Sequence, residues 1–345
     1  MTHPFEVHAE SLVEQVIDRG KAGIFRKQIL ELPGDVPLGL VRKVLPDRGA
    51  GGAEPVGRVV LVHGFAQNRY TWHTSRRSAA NWFAQRGWDV YNLEMRGHGR
   101  SRSETGQGAE AFSDYVEDVA RVADALAETG GPAFLVGHSL GGAACYAAAT
   151  QSPILGVVGV GALFGFAQFN PLLKFLGVLT DNLAQTSFFD RITLRTRLLG
   201  RLISRLYALS DVAGYTVPIS GWWPGSMEPG LLDERLTRGF DWTSIKVWLE
   251  MSRWAATGTF DYDEVWRYTD VPLLVLAGDK DHLCPPGDAR RAYDLSSSSD
   301  KTWVLLDDFH NEVHWGHLDL VLGKLAYAHT WPIVEEWMRA RLPKV

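Results

Sequence analysis

Three stretches of the chain hold residue types suited to nucleophilic chemistry. The first, "FLVGHSLGGA" (134–143), sets Ser139 between Gly137 and Gly141 in a G-x-S-x-G pattern. On a turn from strand to helix such a serine takes up a strained backbone conformation. A side chain two positions to either side would then clash where helix meets strand. The plainer reading is a glycine-rich turn with a capping serine. A hydroxyl becomes a nucleophile only with a base to take its proton and an acid to orient that base. The other two stretches offer both. "GDKDH" (278–282) supplies Asp279, Asp281 and His282, and "DDFHNEVHWGHLDL" (307–320) supplies His310, His314 and His317. The order along the chain is Ser, Asp, His. The three histidines also stand at i, i+4 and i+7, a spacing that could form a metal site. Their H-x-E-x-H order is not the H-E-x-x-H of zinc proteases, so no metal is expected.

The elements that must position these groups follow from hydrophobic periodicity. "RVVLVHG" (58–64), "WDVYNLE" (88–94), "PAFLVGHS" (132–139) and "ILGVVGVGAL" (154–163) are apolar runs of strand length. Between them, "SAANWFAQRG" (78–87) and "DYVEDVARVADALAETG" (114–130) have helical spacing, the second with Val116, Val119, Val122, Ala123 and Leu126 on one face. Strands alternating with helices imply a mostly parallel sheet covered on both faces. Ser139 and the acid- and histidine-bearing loops would then share the edge at the strands' C-terminal ends. The alternation stops at about residue 165 and resumes with "VPLLVLAGDKD" (271–281), "KTWVLLDD" (301–308) and a last helix, "TWPIVEEWMRARL". The expected organisation is one core, 1–164 and 269–345, with a helical cap inserted over 165–268. Near the N-terminus, Leu12, Val13, Val16 and Ile17 predict a helix over 9–18. "GIFRKQILEL" and "LGLVRKVL", split by Pro33-Gly34-Asp35, predict a hairpin.

Composition narrows the function classes. The 345 residues are 46% hydrophobic and 22% charged, with a net charge of −5, which gives no basis for nucleic-acid binding. From Thr129 to Leu173 there is no Asp, Glu, Lys or Arg. Glycines and prolines break that run, so two buried strands around a buried helix are expected rather than a membrane span. Two cysteines far apart in sequence, Cys145 and Cys284, and an N-terminus carrying Glu6, Glu10 and Glu14 lead to the expectation of a cytoplasmic protein. "GVGALFG" (159–165) lacks the helix start and ribose-binding acid of a dinucleotide site, and no cofactor is expected.

Taken together, "HGF" (63–65), "RGHGRS" (96–101), "GHSLGG" (137–142), "GDKD" (278–281) and "GHLD" (316–319) resemble the α/β-hydrolase superfamily from about residue 55 onward. The C-terminal stretch, with "GWWPGSMEPGLL", looks like the branch that contains acid lipases, esterases and polyhydroxyalkanoate synthases. The synthases carry cysteine at the elbow, and dehalogenases and epoxide hydrolases carry aspartate. Ser139 therefore points to ester hydrolysis. The resemblance implies Ser139 as nucleophile, Asp281 rather than Asp279 as acid, and His317 as base with His314 as the alternative. It also implies an oxyanion hole made by the backbone N–H groups of Phe65 and Leu140. His63 and "RGHGRS" are expected to be structural. The family's aspartate two residues before that arginine is here Glu94.

The insertion holds Trp222, Trp223, Trp242, Trp248, Trp254 and Trp266. They can fill the cap's own core or line an apolar pocket, and an ester with a hydrophobic part is the expected substrate. An acyltransferase, a thioesterase or a cofactor-free perhydrolase on the same residues remains open, as does a non-catalytic binding protein. "RITLRTRLLGRLISRLYAL" (191–209) predicts a basic amphipathic helix, either a cap helix with solvated arginines or a face that rests on anionic lipid.

Overall fold

The structure, a computed structural model, describes residues 4–49, 52–102, 108–184, 193–195 and 221–343. The strands in chain order are β1 (Glu6–Asp18), β2 (Lys21–Leu32), β3 (Leu38–Val44), β4 (Arg58–Val62), β5 (Asp89–Leu93), β6 (Phe134–His138), β7 (Gly156–Val160), β8 (Thr193–Arg195), β9 (Trp242–Ser244), β10 (Leu273–Gly278) and β11 (Lys301–Leu306). Nine of them form one sheet in the order β1-β2-β3-β5-β4-β6-β7-β10-β11. From β5 to β11 every pairing is parallel, and β1, β2 and β3 add on antiparallel.

The helices that position the site are α1 (Ala79–Gln85), α2 (Phe112–Gly130), α3 (Leu140–Ala148), α4 (Pro171–Ala184), α5 (Pro229–Arg238), α6 (Ile245–Thr257), α7 (Asp263–Trp266), α8 (Pro286–Leu295), α9 (Asp308–Asn311), α10 (Asp319–Leu322) and α11 (Thr330–Arg339). Alternation along the strands divides the core in two. Val60, Val62, Leu135, Val157 and Val275 share a buried cluster with α2, α3 and α8. Val59, Leu61, Val136, Val158 and Leu274 share the other with α1 and α11. Burying each such side chain contributes about 1.5–3 kcal/mol, which explains why these strands read as unbroken apolar runs. The charge-free stretch forms β6, α3 and β7 as expected. Among the described residues no helix is long and apolar enough to cross a membrane.

The helix expected over 9–18 is not formed. Those residues belong to β1, which pairs with β2 from Glu6↔Glu31 to Asp18↔Lys21. Arg19 (φ 47°) and Gly20 (φ 77°) make the two-residue turn between them, and a left-handed pair matches the twist of a hairpin. Helical spacing of four apolar residues loses here to a full ladder with β2. Val13 and Ile17 pack against the core, while Leu12 is 66% exposed. The β2–β3 hairpin is as expected.

Between β7 and β10 the chain carries α4 to α7 and the β8–β9 pair. Of the basic stretch 191–209, Thr193–Arg195 is strand rather than helix, and the rest of the expected amphipathic helix lies outside the described residues. Trp254 and Trp266 are each 1% exposed, packed against Phe166 and Phe164 respectively. Those two therefore fill core, in the cluster shared with the sheet strands rather than in a separate core of the insertion. Trp222 is buried, Trp223 and Trp248 are half-buried, and the Trp242 side chain lies outside the described residues.

Candidate active site

β6 runs straight into α3, and Ser139 is the hinge between them, with φ 57° and ψ −128°. That left-handed conformation is costly for a residue with a side chain, of order 1–3 kcal/mol, and persists only where its surroundings enforce it. Here the Ser139 N–H donates to the Val160 carbonyl (3.3 Å), and its own carbonyl accepts from Gly142 and Leu163. The flanking glycines are steric necessities. A Cβ on Gly137 would lie 2.5 Å from the Gly141 oxygen, and one on Gly141 would run into the His63 carbonyl. Gly141→Ala is therefore expected to cost about 1–3 kcal/mol, as overpacking does. Urea denaturation reads this directly, and an unchanged midpoint would mean that the elbow has slack.

The β4 loop arrives beside the elbow because Gly64 lets it. A Cβ there would lie 2.9 Å from the Ser139 Cβ. Buried His63 braces this loop. Its Nδ1 bonds the Gly64 carbonyl (2.9 Å), and its Nε2 accepts from the Met95 N–H (3.1 Å). Burial pushes its pKa well below the ordinary value, which keeps the ring neutral. The N–H groups of Phe65 and Leu140 have no backbone acceptor among the described residues. In the turn after β5, Arg96 binds Asp118, and Glu94 is fully buried against Arg69 (2.9 Å).

One residue from the segment between β7 and β10 reaches the β4 loop unannounced by any motif. Arg235 of α5 is 2% exposed and donates to Gln67 Oε1 (2.6 Å) and Thr71 Oγ1 (3.2 Å), both neutral. Burial lowers its pKa to about 9. This cation fastens α5 to the segment that follows Phe65.

The loops after β10 and β11 bring each acid to its own histidine. His317 Nδ1 lies 2.7 Å from Asp281 Oδ2, and both residues are buried. The other oxygen, Oδ1, accepts from the N–H groups of Leu283 (3.0 Å) and Cys284 (2.7 Å), so the carboxylate is pinned at both ends. His138, the residue before Ser139, sits with its ring 4.4 Å from that of His317 and bonds the His317 carbonyl through Nε2 (3.1 Å). The motif treats position 138 as arbitrary, yet here it ties the elbow to His317. Asp319 accepts from the Gly316 N–H (2.9 Å), and burial raises its pKa to about 7.

The neighbouring pair, His314 Nδ1 to Asp279 Oδ2 at 2.6 Å, is partly exposed, and Asp279 also accepts from the Trp315 N–H. His310 turns to Asp307 instead. The three histidines thus pair with different carboxylates, His314 also lying 3.5 Å from Asp308, and do not share a helix face. Asp279, Asp308 and His314 do offer ligand atoms within 4.8 Å of one another, a grouping that could hold a cation. Cys145 and Cys284 are both free thiols and buried.

The chain is similar to known proteins to different extents. A Mycolicibacterium smegmatis monoacylglycerol lipase is 26% identical over 268 residues, covering 75% of this chain and 82% of that protein. An uncharacterized abhydrolase domain-containing protein of Dictyostelium discoideum is 23% identical over 84% of this chain, which spans only 27% of its length. The crystal structure of Paleococcus ferrophilus monoacylglycerol lipase superposes with a TM-score of 0.61 at 18% identity, covering 88% of this chain and 99% of that one. The alpha/beta hydrolase fold profile matches residues 57–321. That span takes in the elbow, the β4 loop and the loops that carry Asp281 and His317, and the chain belongs to the alpha/beta hydrolase fold family.

Proposed function

We propose that the protein is a serine hydrolase of carboxylic esters with a hydrophobic part, acting through an acyl-enzyme on Ser139. The observation that carries this reading is the buried His317–Asp281 pair, 2.7 Å apart, beside a serine held at φ 57°. Asp281 accepts the Nδ1 proton and leaves Nε2 of His317 free to act as base. Ser139 Oγ attacks the ester carbonyl carbon while its proton passes to Nε2. The tetrahedral oxyanion is held by the N–H groups of Phe65 and Leu140, each contributing about 2.7–4 kcal/mol to transition-state stabilisation. Collapse expels the alcohol, which takes the proton from His317. Water, activated by the same imidazole, then releases the acid and regenerates Ser139.

The lining beside this site supports an apolar acyl group. A cavity of about 100 Å³ lies between the core and the cap, walled by Leu163, Phe166, Leu176, Trp248, Met251 and Leu283. Three of its walls are tied to the site. The Leu163 N–H donates to the Ser139 carbonyl, the Leu283 N–H donates to Asp281, and the Trp248 ring is 5.8 Å from Phe65. A panel of p-nitrophenyl esters of rising acyl length, with and without an alcohol acceptor, tests the reading and separates hydrolysis from acyl transfer. Met251→Trp should lower kcat/KM for the longer chains by about tenfold, the scale on which apolar pockets discriminate, while the acetate ester is hydrolysed as before. Equal effects on every ester would remove this cavity from the acyl path, and no turnover of any ester would remove the reading.

A further inference from the structure

A second cavity, of about 400 Å³, opens between the β1–β2 hairpin and residues 69–75. That volume falls in the range of small-molecule sites. None of Ser139, Asp281 and His317 lines it. Its charge is one-sided. Lys27, Lys43, Arg69, Arg100 and Arg238 line it, against the carboxylates of Glu14 and Glu234, in a protein whose net charge is −5.

Two details set this apart from a solvated basic patch. First, Lys27 and Lys43 are direct cross-strand partners in the β2–β3 ladder. Like charges in that position repel and destabilise a sheet. Second, Lys43 is 2% exposed and has no carboxylate partner among the described residues. Its ammonium is satisfied by neutral groups alone: Gln15 Oε1 (2.6 Å), Asn81 Oδ1 (2.6 Å) and His73 Nδ1 (3.3 Å). An unpaired buried charge is costly, and burial together with Lys27 and Arg69 pushes its pKa well below the ordinary lysine value. With its protons already used, Lys43 offers an anion charge rather than a hydrogen bond. Donors are at hand elsewhere. The ammonium of Lys27 and the guanidinium of Arg100 have no hydrogen-bond or ion-pair partner among the described residues, whereas Arg69 is engaged by Glu94. A neighbouring cavity of about 360 Å³ shares Arg69, Tyr70, Arg100 and Arg238, which extends the basic lining outward.

We propose that this cavity binds a small phosphorylated ligand, with Lys27 and Arg100 as hydrogen-bond donors and Lys43 as the buried countercharge. A phosphate between Lys27 and Lys43 relieves the repulsion across the ladder and compensates the Lys43 ammonium. The same chemistry can arrive on a soluble phosphate ester or on a lipid head group.

The test uses the full chain. Inorganic phosphate and glycerol 3-phosphate are titrated calorimetrically at constant ionic strength, with chloride as the matched control. Vesicles of phosphatidylcholine with and without phosphatidic acid are co-sedimented in parallel. Saturable binding is expected in one arm, weakened about tenfold or more in Lys27→Gln/Arg100→Gln, the loss of about 1.4 kcal/mol that a missing charged contact brings. Without ligand that variant should melt at the same temperature as wild type or higher, because a repulsion has gone. Lys43→Met, if it folds, should bind weakly too. Binding of glycerol 3-phosphate assigns the site to a soluble ester. Capture that requires phosphatidic acid, with no glycerol 3-phosphate heat, assigns it to a head group. No binding beyond the chloride control in either arm, or binding that the double variant retains in full, overturns the proposal.

Discussion

Ser139→Ala is expected to lower kcat on a short p-nitrophenyl ester about a millionfold, the loss seen when the nucleophile of a cooperating triad is removed. The residue left behind would keep the shape of the site. Alanine retains the Cβ that sits against Gly64, and the backbone bonds to Val160, Gly142 and Leu163 do not use the hydroxyl. Stability should therefore be unchanged within about 0.5 kcal/mol, so that a dead variant is a chemical result rather than a folding one. A fluorophosphonate probe should label wild type on the peptide that contains Ser139 and leave the variant unlabelled. If turnover stays within about tenfold of wild type, a cost of only about 1.4 kcal/mol in the barrier, the nucleophile is some other group and the proposed acyl-enzyme is wrong.

What could be read in advance, and what could not, divides along a physical line. Buried parallel strands must be apolar on both faces, so β4, β6, β7 and β10 announce themselves with ends within three residues. The elbow is legible for a local reason: Gly137 and Gly141 are demanded by atoms no more than a few residues away or on the adjacent strand. β1 was illegible because its fate depends on β2. The same four apolar residues suit a helix in isolation, and the turn at Arg19-Gly20 is a two-residue signal that a longer periodicity masks. The supports of the site were hidden in another way. His138 occupies a position that the motif leaves open, and Arg235 belongs to α5, 168 residues away from its partner Gln67. Each acts through a contact that only the folded chain creates. The cation-lined cavity is the extreme case, since Lys27 and Lys43 look unremarkable until the ladder sets them face to face.

His317→Ala and His314→Ala should differ by several orders of magnitude, although both histidines sit in one loop and both touch an aspartate of the β10 loop. The difference lies in burial and connection. His317 and Asp281 are buried, Asp281 is pinned by two further N–H donors, and the His317 carbonyl is bonded by the residue next to Ser139. Removing that imidazole takes away the only base proposed for Ser139, and the loss should approach that of Ser139→Ala because members of a triad act as a unit. Asp281→Asn should cost about ten-thousandfold, since an amide in that place favours the wrong tautomer of His317. His314, by contrast, pairs with Asp279 at a half-buried position where the side chains are 27% and 15% exposed. Such a pair contributes about 0–1 kcal/mol, and its alanine variant should keep kcat within about tenfold of wild type. Added imidazole separates a missing base from a collapsed loop. It should restore measurable turnover to His317→Ala, whereas a loop that has lost its shape offers the imidazole no place to bind. Should His314→Ala prove inactive while His317→Ala turns over, the base belongs to the Asp279 pair and the assignment of the two dyads must be exchanged.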